Sequence, residues 1–460
     1  MSNLKKTLVE VASWLGLSQE LSGNPLITGV SINTRTLQPG DLFIPFRGEK
    51  VNGHRFVQDA FDKGASAALW MKDEPNPPSG LPLLYVEDPG SALQQMASSY
   101  REELNTVFIG ITGSNGKTST KDLVAGMLSP YYRVKKTIGN FNNELGLPIT
   151  ILSLEEDTEY AVLEMGMSSF GEIEFLSKLA KPTYAVITNI GEAHMQDLGS
   201  REGIAKAKFE IISGLKKDGL LIYDGDEPLL RPFVESVPNL STKAFGRGEY
   251  NSLRIEQVHF TENGSTFTVS GDLNEEMSIP ILGEHQVKNT LAALLIGNAI
   301  GLTAEQMRVA LKKIVLTDMR MQLIDTTNGA IFINDAYNAA PTSMNAAIQF
   351  VKSSTIKEDK WLVLGDMLEL GEHEKEFHEG ISNGISSESF AGVCLFGSRM
   401  KWLYNQLLAK FSKEQIIWTE NDYEEIISFL TKKIDANSIV LVKGSRGMHL
   451  ERVIEPFQKQ

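Results

Sequence analysis

Glycines, hydroxyls and one lysine fall together in Gly110-Ile-Thr-Gly-Ser-Asn-Gly-Lys-Thr-Ser-Thr120. Residues of these types suit a phosphate. Backbone N–H groups of a glycine-rich turn point at the anion, Lys117 adds a full charge, and the Thr118 hydroxyl stands where a Mg²⁺ on the phosphates would lie. The chemistry implied is binding of ATP or GTP. The commonest phosphate loop has a further glycine five positions before the glycine of Gly-Lys-Thr. Here that position is Ile111, and Gly110 comes one residue too early. The working loop is therefore Thr112 to Thr118, with Gly113, Ser114, Asn115, Gly116, Lys117, Thr118 and Ser119 as nucleotide contacts. A ligand-free glycine turn is the plainer alternative; Gly-Lys-Thr between a strand and a helix favours the cradle.

Other candidates lie further along. Glu164, followed by Met-Gly-Met, reads as a Mg²⁺ partner or as a surface or capping carboxylate. His194 ends Thr188-Asn-Ile-Gly-Glu-Ala-His194 and reads as a ligand or a structural histidine. Lys206 and Lys208, taken alone, read as the solvated face of a helix. Asn289 suits an adenine edge, a cap or simple packing. Arg320, Asp335, Tyr337 and Asn338 cluster around one strand. An aspartate after such a strand takes ribose hydroxyls, and an arginine from a neighbouring domain stabilises charge on a γ-phosphate.

The elements that must position these groups alternate. Thr106 to Ile109 reads as a buried strand before the loop, and Lys121 to Leu128 as the helix after it. The runs 161–164, 185–188 and 220–223 are short β-branched strands ending at polar residues, as in parallel sheets whose chemistry collects at strand carboxyl ends. Helices follow near Val287 and from Leu302 to Ile314. A last block has strands at 330–333, 361–364, 393–396 and 438–442, a doubly wound pattern. The first hundred residues alternate likewise, with strands at 41–46 and 67–70, helices at 56–64 and 92–103, and a breaker-rich loop at 73–80. An amphipathic helix is expected at the start, on Leu4, Val9, Val11, Leu15 and Leu17. The fold class expected is α/β in three domains: a small α/β domain at 1–104, a central ATPase domain with a mostly parallel sheet at 105–314, and a Rossmann-like domain at 315–460.

At 460 residues the chain exceeds one ordinary core. A formal net charge of −14 argues against nucleic-acid binding, which uses a basic excess. It also makes a local cluster of cations more telling. The single cysteine, Cys394, excludes an intrachain disulfide and suits a reducing cytoplasm. No apolar run reaches membrane-spanning length and no signal-peptide core is evident, so a cytoplasmic monomer without membrane insertion is expected.

Taken together, Thr112 to Thr118, Glu164-Met-Gly, Asn189-Ile-Gly-Glu-Ala-His194, Ala207-Lys208, His285 with Asn289, and Asp335-Ala-Tyr-Asn338 resemble the Mur ligases of peptidoglycan synthesis over nearly the whole chain. Four features resemble the branch that adds D-alanyl-D-alanine. They are Asn140-Phe-Asn-Asn-Glu144 with Gly146-Leu-Pro148, Tyr337-Asn-Ala with Pro341, Leu364-Gly-Asp-Met-Leu-Glu-Leu-Gly371, and Lys443-Gly-Ser-Arg-Gly-Met448. Ala340 departs from that branch's Tyr-Asn-Ala-Asn-Pro, and Asn52 stands where an acidic residue is commoner. The Asp-Asn-Pro-Arg motif of the sibling that adds the third residue is absent. That sibling and folylpolyglutamate-type ligases are the near alternatives, and a P-loop kinase or switch the distant one.

The resemblance implies an ATP-dependent ligase joining the dipeptide to a UDP-muramoyl tripeptide through an acyl phosphate. It implies that Thr118 and Glu164 hold one Mg²⁺, that His194 holds a second, and that Lys208 carries a CO₂-derived carbamate serving as an oxygen ligand. Lys117 and Arg320 would neutralise the phosphates, and Asn289 and Asp335 would meet adenine and ribose. His285 reads equally as a core histidine. Ser31, Thr34, Arg35, Arg47, Gly53 and His54 would meet the uridine diphosphate, although Arg35 and Arg47 read equally as surface ion pairs. Asn140, Asn142 and Asn143 would contact the muramoyl part. Tyr337, Asn338 and the stretch Lys443 to Arg446 would serve the dipeptide end.

Overall fold

The computed structural model describes residues 4–261 and 264–459. Near the start of the chain, parallel strands Gly29–Ser31, Asp41–Phe43, Ala67–Met71 and Leu83–Val86 form a four-stranded sheet in sequence order. Helix Pro89–Glu103 follows. Asp88 caps it by accepting from Ser91 N, and proline opens its first turn. It buries Leu93, Met96, Ala97 and Tyr100. Tyr100 Oη donates to Leu154 O at 2.8 Å, which fastens this unit to the next.

The helix expected at the start is shorter and later. Met1 to Asn3 lie outside the described residues. Lys6–Thr7 pairs with Leu26–Ile27 as a two-stranded ribbon, and the helix spans only Leu8–Trp14. Thr7 and Glu10 form a reciprocal capping box, which fixes the start at Leu8. Leu4 and Val11 are buried, whereas Val9 faces out.

A nine-stranded sheet dominates the middle. From one edge its order is Glu275–Ile279, Gly264–Gly271, Leu253–Thr261, Ser241–Gly246, Leu220–Asp224, Tyr184–Ile187, Val107–Thr112, Tyr160–Glu164 and Val134–Lys136. The first two pairings are antiparallel and the rest parallel. The antiparallel extension was not expected from sequence. Strand Val107–Thr112 lies between two parallel neighbours, with Thr112 opposite Ile187 and Ile111 opposite Glu164. This register brings the loop after Thr112, the carboxylate of Glu164 and the segment after Ile187 to one end of the sheet. Helix Lys117–Leu128 and helix Glu284–Ile300 pack together, burying Leu123, Val124, Leu291 and Leu294.

The last block is a six-stranded sheet ordered Gln322–Asp325, Ile331–Asn334, Ser438–Lys443, Asp359–Gly365, Gly392–Phe396 and Ile416–Thr419. Only the first pairing is antiparallel. The chain is thus α/β, with parallel sheets in all three regions. Among the described residues no helix is long and apolar enough to cross a membrane.

Candidate active site

The loop after Thr112 is built on two glycines that admit no side chain. Gly113 has φ +150°, and a Cβ there would lie 1.8 Å from Thr188 Oγ1. Gly116 has φ +79°, and its Cβ would lie 2.6 Å from Asn289 Oδ1. The neighbouring strand end clamps the loop. Ser114 N donates to Asn189 O at 3.0 Å and Asn115 N to Asn189 Oδ1 at 2.9 Å. Thr188 Oγ1 and Asn189 Nδ2 both donate to Asn115 O, at 2.6 and 2.9 Å. The helix starts at Lys117, four residues before the expected Lys121, so Lys117 and Thr118 occupy its first turn. Lys117 Nζ donates to Gly113 O at 2.7 Å. Burial lowers its pKa, Glu164 opposes that shift, and Arg320 adds to it. Ser119 is buried in the same turn, and Ser114 Oγ and Asn115 Nδ2 are buried without a hydrogen-bond partner. Phosphate oxygens in the loop would supply acceptors for such groups.

Glu164 is buried, with one hydrogen bond to each oxygen. Its Oε2 accepts from Thr118 Oγ1 at 2.9 Å, and its Oε1 from Asn142 Nδ2 at 3.0 Å. Arg320 reaches the same point from the far end of the chain: its Nη2 donates to Thr118 Oγ1 at 3.4 Å. Its guanidinium lies 4.2 Å from the Tyr337 ring centroid, and its buried Nε has no partner.

Beside these groups is a cavity of about 330 Å³, lined among others by Asn115, Ser119, Asn289, Arg320, Asp335 and Lys443. Asn289 is held by Gln286, to whose Oε1 its Nδ2 donates at 3.1 Å. His285 also lines the cavity. Burial pulls its pKa down to about 4, against the pull of Asp335. Asp335, expected to take ribose hydroxyls, already has partners. Its Oδ2 accepts from Lys443 Nζ at 2.5 Å, and its Oδ1 from Met321 N at 3.2 Å. Lys443 also donates to Asn338 O at 3.0 Å and lines the same cavity. Sequence reasoning missed other lining residues, Asp224, Glu227, Arg201 and Lys288. Lys288 Nζ lies 2.8 Å from Asp224 Oδ1, whose pKa burial raises to about 6. The strand-end run Asp224-Gly-Asp was the available signal.

His194 adopts φ +66°, in the left-handed region, with Nδ1 3.6 Å from Glu369 Oε2. Burial, with Lys117 and Lys208 nearby, lowers its pKa to about 4. Lys208 is not on a solvated face: it is 1% exposed and, among the described residues, forms no ion pair. Burial first and Lys117 second drive its pKa well below the ordinary value.

The residues expected around the uridine diphosphate are more internally committed. Arg47 grips Asp73 at 2.9 Å and Glu74 at 2.7 Å. His54 is a structural histidine: Nδ1 meets Asn52 Oδ1 at 2.9 Å, Nε2 accepts from Met71 N at 3.2 Å, and burial lowers its pKa. Asn52 suits this place because its amide also donates to Glu74, which an acidic side chain would repel. Gly53 allows close approach of Phe46 O, 2.7 Å from where a Cβ would stand. Ser31 Oγ donates to Asn33 O, Thr34 bonds Asp59, and Arg35 is exposed. Asn140 is exposed, and Asn143 Oδ1 accepts from Gly146 N at 2.9 Å, capping the helix that starts there. Asn338 is exposed beside Tyr337. At Ala340, Ser343 Oγ accepts from the Ala340 N–H at 3.1 Å, so the following helix keeps half of a capping box.

This geometry recurs in known proteins. The Mur ligase family catalytic domain matches residues 26–101, the Mur ligase middle domain 111–297, and the Mur ligase glutamate ligase domain 319–446. The UDP-N-acetylmuramoyl-tripeptide--D-alanyl-D-alanine ligase of Bacillus subtilis (strain 168) is 45% identical over 455 residues, 98% of either chain. The enzyme of the same description from Escherichia coli (strain K12) is 30% identical over 448 residues, 96% of either chain. Among solved structures, MurF from Acinetobacter baumannii matches with a TM-score of 0.88 at 26% identity, covering 99% of both chains. MurF ligase from Thermotoga maritima in complex with ADP matches at 0.82 and 29% identity, covering 93% of this chain and 96% of that one. With similarity of this extent along its whole length, the chain belongs to the Mur ligase family.

Proposed function

We propose that this chain is an ATP-dependent ligase that joins D-alanyl-D-alanine to a UDP-N-acetylmuramoyl tripeptide, giving the pentapeptide of peptidoglycan synthesis with ADP and phosphate. The observation that carries this reading is the meeting of Lys117 and Arg320 around the Thr118–Glu164 pair, 2.9 Å apart, beside a cavity of about 330 Å³. A carboxylate is a poor electrophile. Its oxygen attacks the γ-phosphorus of ATP, the bond to the β-phosphate oxygen breaks, and an acyl phosphate and ADP result. The dipeptide amine then attacks the acyl carbon, and phosphate leaves.

Two anions must meet in the first step, so cations are required. Lys117 supplies one from the loop and Arg320 one from the opposite side. The loop N–H groups orient the β- and γ-phosphates. The adjacent hydroxyl of Thr118 and carboxylate of Glu164 are hard oxygen donors that fit Mg²⁺, with Asn142 holding the carboxylate in position. Bound there, the ion would offset charge on the phosphate oxygens. A second Mg²⁺ fits near His194, whose lowered pKa leaves its lone pair free at neutral pH. Lys208, a buried amine whose pKa burial and Lys117 push well below the ordinary value, fits CO₂ capture: the N–C bond forms, a proton leaves, and the product is an anionic oxygen ligand.

By this reading residues 1–104 receive the UDP-muramoyl substrate, 105–314 bind ATP, and 315–460 bring Arg320 and the amine site. Asn289 would face the adenine, and Asp335 would hold Lys443 toward the nucleotide. The net charge of −14 supports small-molecule substrates rather than nucleic acid, and a monomer in the cytoplasm is the simplest setting. Substituting Lys117→Ala should abolish phosphate release from ATP. A folded variant with normal turnover would refute the site.

A further inference from the structure

On helix Lys117–Leu128, Thr118 stands one turn before Asp122 and Gly126 one turn after it, so the three share one face. The segment that enters the last block runs along this face in the opposite direction. Ile314 packs over Gly126, where a Cβ would lie 2.6 Å from its Cδ1. Thr317 meets Asp122: its N–H and its Oγ1 both donate to Oδ2, at 2.8 and 2.7 Å. Arg320 meets Thr118. A spacing of three in the segment thus matches a spacing of four on the helix. Along this stretch the chain changes cores. Leu316 packs on the core of the central block, and Met321 is buried in that of the last one. Residues 314–321 form no helix or strand, and Val315, Thr317 and Asp318 are exposed, so packing alone does not hold the crossing.

Asp122 supplies what packing does not. It is 1% exposed. Its Oδ1 accepts from Lys136 Nζ at 2.6 Å, and Lys121 Nζ lies 3.6 Å from the same oxygen. Burial raises its pKa, but Lys121, Lys136 and Thr317 outweigh that and hold it below the ordinary 3.8, so the group is an anion at neutral pH. A buried carboxylate oxygen that accepts two donors from one residue is a directional anchor. The guanidinium of Arg320 is held less firmly by hydrogen bonds. Its bond to Thr118 is long at 3.4 Å, and its Nε has no partner.

We propose that Asp122 is a positioning residue for the ligation: it fixes the register of segment 314–320 on the phosphate-loop helix and so sets Arg320 against Thr118 and the γ-phosphate. This rests on the ligase reading above and deepens it. The residue that orients the arginine lies one turn further along the helix, outside the lining of the nucleotide cavity.

The test measures phosphate release by Asp122→Asn, Thr317→Val and Thr317→Ser, each in the parent and in Arg320→Ala. Weakening a hydrogen bond to a charged group should lower kcat about tenfold in Asp122→Asn and about 3- to 10-fold in Thr317→Val, which keeps the backbone donor. The KM for the muramoyl tripeptide should stay within about twofold of the parent. Thr317→Ser keeps the hydroxyl and should keep the parent's kcat. In Arg320→Ala the same substitutions should change kcat by less than about twofold, because the group they position is gone. Hydrogen exchange of segment 314–321 should quicken in Asp122→Asn and Thr317→Val. An unchanged kcat in Thr317→Val, or the same fold-loss with and without Arg320, overturns the proposal and leaves Asp122 a structural anchor only. Asp122→Asn puts two lysines beside a neutral amide; if it fails to fold, Thr317→Val, which disturbs neither lysine, decides. A parent enzyme that releases no phosphate with the dipeptide refutes the ligase reading, whereas unaltered exchange in Thr317→Val refutes the anchoring by itself.

Discussion

Arg320 Nη2 donates to Thr118 Oγ1 at 3.4 Å, joining two residues 202 positions apart in the chain. The arginine arrives on a segment whose backbone is unusual on both sides: Met319 and Met321 have φ +62° and +51°. It is kept in place by the Tyr337 ring, 4.2 Å from its guanidinium, and by Asp335, which accepts from Met321 N. The last block thus reaches the Thr118 hydroxyl of the central one, and the proposed nucleotide site depends on how firmly that segment is held.

Tyr337, proposed for the dipeptide end, also lies under Arg320, 4.2 Å from its guanidinium. A stacked cation is worth roughly 0.5–2 kcal/mol. Tyr337→Phe should retain most activity, and Tyr337→Leu should lower kcat by about 2- to 30-fold. Arg320→Ala should cost about 10²- to 10³-fold. Steady-state phosphate release measures all three. Equal losses in the Phe and Leu variants would argue for a role of the Tyr337 hydroxyl instead.

Gly116 combines φ +79° with a Cβ position 2.6 Å from Asn289 Oδ1. Gly116→Ala should raise the KM for ATP about tenfold, because a left-handed alanine costs roughly 1–2 kcal/mol and the asparagine must move. Adding Asn289→Ala removes the clash but not the backbone strain. Only partial recovery is expected, measured by nucleotide titration.

If Lys208 serves the proposed reaction, its burial costs stability that function retains. Its folded pKa is depressed below the ordinary 10.5 by burial, so the unfolded chain binds more protons as pH falls below that value. The lysine's contribution to stability therefore falls with falling pH through this window. In CO₂-depleted buffer at neutral pH, Lys208→Met should raise the thermal midpoint by about 2 °C or more while abolishing ligation. A lowered midpoint would contradict this reading.

His285 and His194 both have pKa values lowered to about 4, largely by burial. Between 6.5 and about 4 the unfolded chain protonates and the folded one resists, so stability should fall as pH drops through that window. Imidazole NMR titration should place both midpoints near 4. A midpoint near 6.5 for His285 would mean that its ring is solvated.

Much of this was legible in the sequence for a physical reason. The strand–loop–helix at 107–128 is local, and Gly-Lys-Thr there has few other uses. Strand ends such as Glu164 follow from short β-branched runs, and the parallel register carries them to one edge. The antiparallel strands at 253–279 were not legible. Only one face of Leu253–Thr261 is buried, and its outer positions carry Glu256, Gln257 and His259, which dilute the signal. Nor does sequence reveal who pairs with whom. That Lys443 meets Asp335, Arg47 meets Asp73 and Glu74, and Lys208 is buried rather than solvated depends on contacts between distant segments.

The most direct test is phosphate release from ATP with Mg²⁺ and a UDP-muramoyl tripeptide, with and without D-alanyl-D-alanine. The account predicts release that depends on the dipeptide, with a pentapeptide product by mass. Release supported by a single amino acid instead, or none under either condition, would contradict it.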